Sequence, residues 1–219
     1  MSRTPAAPMR LIALEGADGT GKTTQSLLLV DRLQSMGFRA TYVRPVFLML
    51  DPWEHGSTKL AEFVSPRTRR LRAGLGGRGH PARPSVVGIL ARLLGYLYAM
   101  AFYGLLRARY RGEEFVVCDR FFYQYFYDLY GPTAVKLARA FPKPNLMVWL
   151  DGSVEPLRSR KRDEEVTEER SEYMDSVLKL LRTLARDLNF HRVDARGDVK
   201  AQGEAIWRIV MHGVAGCET

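Results

Sequence analysis

Cysteine is nearly absent from this 219-residue chain: Cys118 lies inside an apolar run and Cys217 in the tail. Two thiols so placed cannot build a disulfide framework, and they lack the paired spacing of a zinc site. The opening Met1–Pro8 is polar and rich in proline and alanine. It lacks the apolar stretch of a secretory signal and is expected to be a disordered lead-in covering residues 1–9. Together these absences lead us to expect a reducing, cytoplasmic setting. No internal repeat and no clear linker divides the rest, so one compact domain is expected over residues 10–213, with a short tail at 214–219. Acidic residues are the minority, 24 against 33 basic ones, for a net charge of +9. That balance favours anionic partners such as nucleotides, nucleic acid or an acidic membrane face; a basic solvated surface is the other reading.

Long apolar runs are also scarce. The exception is Val86–Leu106, which carries a single charge, Arg92, and is followed by Arg107, Arg109 and Arg111. Its length allows a membrane span, which needs roughly 20 apolar residues. Arg92, the glycines at 88, 95 and 104, and the strand-like segment that follows favour a buried or half-buried helix; a membrane-facing helix stays open.

What the chain does contain is an alternation of short apolar strands with helical segments. Arg10–Gly16 reads as a buried strand, Thr23–Met36 as a helix stopped by Gly37, and Ala40–Val43 as a second strand closed by Arg44-Pro45. After the irregular residues 51–84 and the apolar helix come strands at Glu114–Cys118 and Leu146–Leu150. A charged helical stretch runs from Val154 to about Asp187, then a strand at His191–Val193 and a last helix at Val199–Val210. This order predicts an α/β protein with three layers, a five-stranded parallel sheet covered by helices on both faces.

Between the first strand and the first helix stands Gly16-Ala17-Asp18-Gly19-Thr20-Gly21-Lys22-Thr23, a complete G-x-x-x-x-G-K-[ST] loop in the context that motif requires. Its glycines let successive backbone N–H groups curl inward onto phosphate oxygens, and the helix N-terminus adds partial positive charge. Lys22 is placed to reach the β- and γ-phosphates, Thr23 to ligate Mg²⁺, and Thr24 to bond the α-phosphate. A P-loop NTPase fold that binds ATP and Mg²⁺ is therefore expected. The guanine reader N-K-x-D is missing, since the two asparagines, Asn145 and Asn189, are followed by Leu146 and Phe190. Motor-type ATPases carry an apolar strand ending in Asp-Glu; here Val116–Asp119 runs into Arg120, which suits phosphoryl transfer between small molecules.

Leu11–Gln25 resembles the opening of the thymidylate kinase family. Asp119-Arg120-Phe121, Pro144–Asp151 and the closing Val193-Asp194-Ala195 resemble its later motifs, and together these pieces span most of the chain. The resemblance implies a nucleoside monophosphate kinase converting dTMP to its diphosphate with ATP, acting as a homodimer with a mobile lid at about 154–170. It assigns Asp18 to the acceptor sugar or the metal, Arg44 and Arg120 to the acceptor phosphate, and Asp119 to Mg²⁺ through water or to a proton. Arg158 and Arg162, four apart on the lid segment, share one helical face and would close on the triphosphate. The other acceptors this fold could take are a nucleoside, a sugar or a lipid-linked group; a nucleotide-dependent regulatory module is the reading from outside enzymology.

The acceptor side departs from the family. Phe121–Tyr127 is aromatic apart from Gln124, which could pair with a base edge while the rings stack on it or form core. The arginines at 67, 69, 70, 72, 78 and 83 make a solvated basic loop, a clamp for a charged acceptor, or an anchor to anionic lipid. No aromatic platform accompanies the basic residues, so nucleic acid is not an expected partner.

Overall fold

The structure is a computed structural model and describes residues 9–17, 19–45, 86–152 and 168–215. In chain order its elements are β1 (Arg10–Gly16), α1 (Lys22–Ser35), β2 (Ala40–Val43), α2 (Val86–Arg109), β3 (Phe115–Asp119), α3 (Tyr123–Tyr130), a 3₁₀ turn at Gly131–Thr133, α4 (Ala134–Ala140), β4 (Leu146–Asp151), α5 (Glu168–Asp187), β5 (His191–Asp194) and α6 (Val199–Ala215). The five strands form one sheet in the order β2-β3-β1-β4-β5, and every pairing is parallel. β1 lies at the centre, hydrogen-bonded on both sides, which is why its run Leu11–Leu14 is apolar without alternation.

Side chains alternate across the sheet and build two cores. On one face Leu11, Ala13, Val116, Cys118, Met147 and Trp149 pack with residues of α2, α3, α4 and α5. On the other, Ile12, Leu14, Val117, Val148 and Leu150 pack against Leu29, Val30 and Leu33 of α1 and Ile206 and Val210 of α6. Helices therefore cover both faces, as the alternation of elements predicts. β3 ends one residue later than expected and takes Asp119 into the strand.

Helices α3 and α4 were not foreseen in the sequence. Phe121, Phe122, Tyr123 and Phe126 are fully buried, so for these four rings the core reading holds. Phe141 is the hub, with the rings of Phe122 and Phe126 at 4.9 Å and that of Tyr103 at 5.6 Å. Burying each such side chain stabilises the fold by about 1.5–3 kcal/mol.

Helix α2 is half-buried. Ala99 and Leu106 face the core, whereas Leu90, Leu94, Leu97 and Leu105 are 54%, 56%, 53% and 65% exposed. It packs closely on α3: a Cβ at Gly95 would come within 2.7 Å of Leu129 Cδ1, and Tyr125 donates a 3.0 Å hydrogen bond to the Gly95 carbonyl. Among the described residues no helix is long and apolar enough to cross a membrane.

Candidate active site

The phosphate-loop sequence wraps from the end of β1 into α1. Gly16 has no room for a side chain, because a Cβ there would lie 2.7 Å from the Leu150 carbonyl oxygen and 2.8 Å from Thr20 Oγ1. Gly21, at φ 88°, starts α1 from the left-handed region where glycine is favoured. Ala17 is the internal hub of the loop. Its carbonyl accepts from the Thr20 hydroxyl at 2.9 Å and from Lys22 Nζ at 2.5 Å. Thr20 and Lys22 are buried, while Gly19, Thr23 and Thr24 face outward. Asp18, Arg158 and Arg162 lie outside the described residues, as do residues 154–167 of the expected lid and the arginines between 67 and 83.

Asp119 is the point where three elements meet. It sits at the C-terminal end of β3, 1% exposed. Its Oδ2 accepts from the Thr23 hydroxyl at 2.5 Å and from the Tyr42 hydroxyl at 3.0 Å, and Arg44 Nε lies 3.3 Å away. Thr23 comes from α1, Tyr42 from β2 and Arg44 from just beyond it. The other oxygen, Oδ1, is buried with no hydrogen-bond partner among the described residues. An orphaned carboxylate oxygen beside a hydroxyl is a fitting donor pair for a hydrated divalent cation, which keeps several waters and takes its remaining ligands from phosphate. Among the described residues no group of three His, Cys, Asp or Glu side chains gathers to hold a metal by itself.

Sequence reasoning missed Tyr42. Its phenol is pushed up to about 12, first by burial and then by the Asp119 carboxylate, so it remains a hydrogen-bond donor at neutral pH. No local pattern marks it, since the contact joins positions 77 apart.

Arg120 follows directly, half-buried, and its Nη1 donates to Gln124 Oε1 one helical turn on. Gln124 therefore lies on α3 beside Arg120, with the surrounding rings Phe121, Phe122, Tyr123 and Phe126 turned into the core. Lys22, Thr23, Arg44, Asp119, Arg120 and Gln124 all stand at or just beyond the C-terminal ends of β1, β2 and β3, the rim where parallel sheets place ligands. Chemically, this rim offers amides and an ammonium for one anion, guanidinium groups for a second, and a carboxylate–hydroxyl pair between them.

No protein-family model matches the chain. A thymidylate kinase of Synechococcus sp. (strain JA-3-3Ab) is 30% identical over 213 residues, covering 91% of this chain and 94% of the relative. A probable thymidylate kinase 1 of Saccharolobus solfataricus is 26% identical over 195 residues, covering 86% and 90%. The solved thymidylate kinase of Candida albicans shares the fold at a TM-score of 0.60 and 16% identity, across 95% of this chain and 93% of that one. The P-loop fold expected from the sequence is thus met in a solved structure. With almost the whole of both chains aligned at 30% identity, this protein belongs to the thymidylate kinase family.

Proposed function

We propose that the protein transfers the γ-phosphate of ATP to a nucleoside monophosphate, dTMP first, giving dTDP and ADP. The observation that carries this reading is the shared carboxylate. Asp119 Oδ2 draws Thr23 of the phosphate loop and Arg44 of the opposite wall to one atom, so a group bound by each would face the other across it. The relatives' common name supplies the acceptor.

In the proposed reaction a phosphate oxygen of dTMP attacks the γ-phosphorus, and the bond to the bridging oxygen of ADP breaks. Little covalent work falls to the protein, so its residues act by positioning and charge. Lys22 leaves the Ala17 carbonyl to follow charge migrating onto the β–γ bridge. Arg44 and Arg120 hold the acceptor phosphate in line, and Gln124 fixes the Arg120 guanidinium. Thr23 and Asp119 would hold Mg²⁺, which when bound would supply charge neutralisation on the transferring phosphoryl group. Arg158 and Arg162, on a lid of about residues 154–170, belong to the same proposal, as do a single domain over residues 10–213 and a cytoplasmic location. The outward leucines of α2 lead us to propose a homodimer, with two such helices covering each other.

The test is an ADP-release assay with Mg-ATP and a panel of acceptors. We expect turnover with dTMP and little with thymidine; thymidine preferred over dTMP would reassign the chain to a nucleoside acceptor. Arg120→Ala should raise the KM for dTMP tenfold or more, and an unchanged KM would remove Arg120 from the acceptor site.

A further inference from the structure

Glu15 is the one charged residue within the apolar run Leu11–Gly16. It lies at the centre of the sheet, 1% exposed, paired in register with Trp149. Burial pushes its carboxyl up; the Phe121 amide, Arg120 and Lys22 pull in the opposite direction. Ala13, Cys118 and Trp149 fill the neighbouring positions on that face of the sheet, so packing alone does not call for an acid there.

The chain just beyond β3 gives the acid a task. Arg120 has φ 69°, a left-handed conformation that is unfavourable for a residue with a Cβ and persists only where the surroundings impose it. Two consecutive amides impose it here. The Arg120 N–H donates to the Leu14 carbonyl at 3.0 Å, continuing the β1–β3 ladder by one step. The Phe121 N–H donates to Glu15 Oε1 at 2.7 Å. Backbone and side chain of successive β1 residues thus grip the two peptide groups that flank Arg120. Once the turn is set, Phe121 and Phe122 drop into the core and the Arg120 guanidinium reaches Gln124.

We propose that Glu15 is a positioning residue, a buried acceptor that holds Arg120 in its left-handed turn and so fixes the guanidinium where the acceptor phosphate is received. The proposal rests on the reading of Arg120 as a phosphate-binding group. Glu15 touches no substrate; it acts through the Phe121 amide.

Glu15→Gln keeps an oxygen at the same reach but a weaker, neutral acceptor, and Glu15→Leu removes it. Both variants and wild type should be compared by amide hydrogen exchange at Phe121 and by the KM for dTMP and for ATP. We expect the Phe121 amide to be protected in wild type, less so in Glu15→Gln and unprotected in Glu15→Leu. The KM for dTMP should rise about fivefold in the first variant and tenfold or more in the second, with the KM for ATP within twofold. If Glu15→Leu does not fold, the Glu15→Gln arm decides alone. Loss of Phe121 protection with an unchanged KM for dTMP overturns the proposal, as does a rapidly exchanging Phe121 amide in wild type. A wild-type protein inactive on dTMP would sink the proposed function instead, and the exchange data would still judge the contact.

Discussion

Gly16 offers the sharpest test of how the phosphate loop is built. In Gly16→Ala the new Cβ would meet the Leu150 carbonyl at 2.7 Å, Thr20 Oγ1 at 2.8 Å and Leu150 Cβ at 3.1 Å. The carbonyl belongs to β4, which is hydrogen-bonded to β1 on one side and β5 on the other, so it cannot swing aside. Overpacking of this kind costs about 1–3 kcal/mol, and for a chain of this size each kcal/mol lowers Tm by roughly 2–4 °C. A fall of about 2–12 °C is therefore expected by scanning calorimetry. Thr20 must also move, and its hydroxyl braces the Ala17 carbonyl. Losing one amide bond to a charged phosphate weakens binding by about 1.5–3 kcal/mol, or roughly 10–100-fold in the Kd for Mg-ATP by titration calorimetry. Gly112→Ala is the control: its Cβ would meet nothing within 4 Å and its φ is not positive, so its Tm should stay or rise slightly. A Gly16→Ala protein that melts with wild type and binds Mg-ATP within twofold of it would show that this contact does not shape the loop.

Three further outcomes are expected. Tyr42→Phe removes one of the donors to Asp119 Oδ2 without unburying the carboxylate. The Mg²⁺ concentration for half-maximal rate should rise about threefold to tenfold, in line with about 1 kcal/mol for a single hydrogen bond; an unchanged Mg²⁺ dependence would show that Tyr42 does not tune Asp119. A Leu94→Glu, Leu97→Glu pair places two charges on the outward stripe of α2, and sedimentation should show a dimer in wild type and a monomer in the variant, with a wild-type monomer contradicting the proposed interface. Cys118 is fully buried, and burial with help from Glu15 and Asp119 raises its thiol. Iodoacetamide at pH 8 should leave the peptide containing Cys118 unmodified until the protein unfolds, as mass spectrometry would record; rapid labelling of the native protein would contradict the burial.

The parts of this protein legible in its sequence are those whose signal is local. The run Leu11–Glu15 leading into three closely spaced glycines and Lys22 announces a strand, a loop and a helix, because strand burial and tight backbone curvature each restrict residue type. Asp119-Arg120 at the end of an apolar run was legible for the same reason. Helices α3 and α4 were not. Phe and Tyr in Phe121–Tyr130 are indifferent helix formers, and the Gly131-Pro132 pair reads as a break rather than as the 3₁₀ turn that joins two short helices. Tertiary packing around Phe141 decided the matter. Tyr42 and Glu15 stayed hidden for another reason: each acts on a residue far away in the chain, Asp119 and Phe121, and parallel pairing alone brings them together.

Because all five strands run in one direction, the molecule has a working rim and a quiet one. The quiet rim is tied by modest contacts, such as the Leu11 amide on Asn145 Oδ1 at 2.8 Å, and by the open turn at Gly112. The register of β1 against β3 begins just past that turn, where the Arg10 N–H donates to the Glu114 carbonyl and the Phe115 N–H to the Arg39 carbonyl, so an insertion confined to Gly112 is expected to leave Asp119 and Lys22 in place. A fluorophore or affinity handle grafted at Gly112, where an added Cβ would meet nothing within 4 Å, is expected to leave the working rim undisturbed.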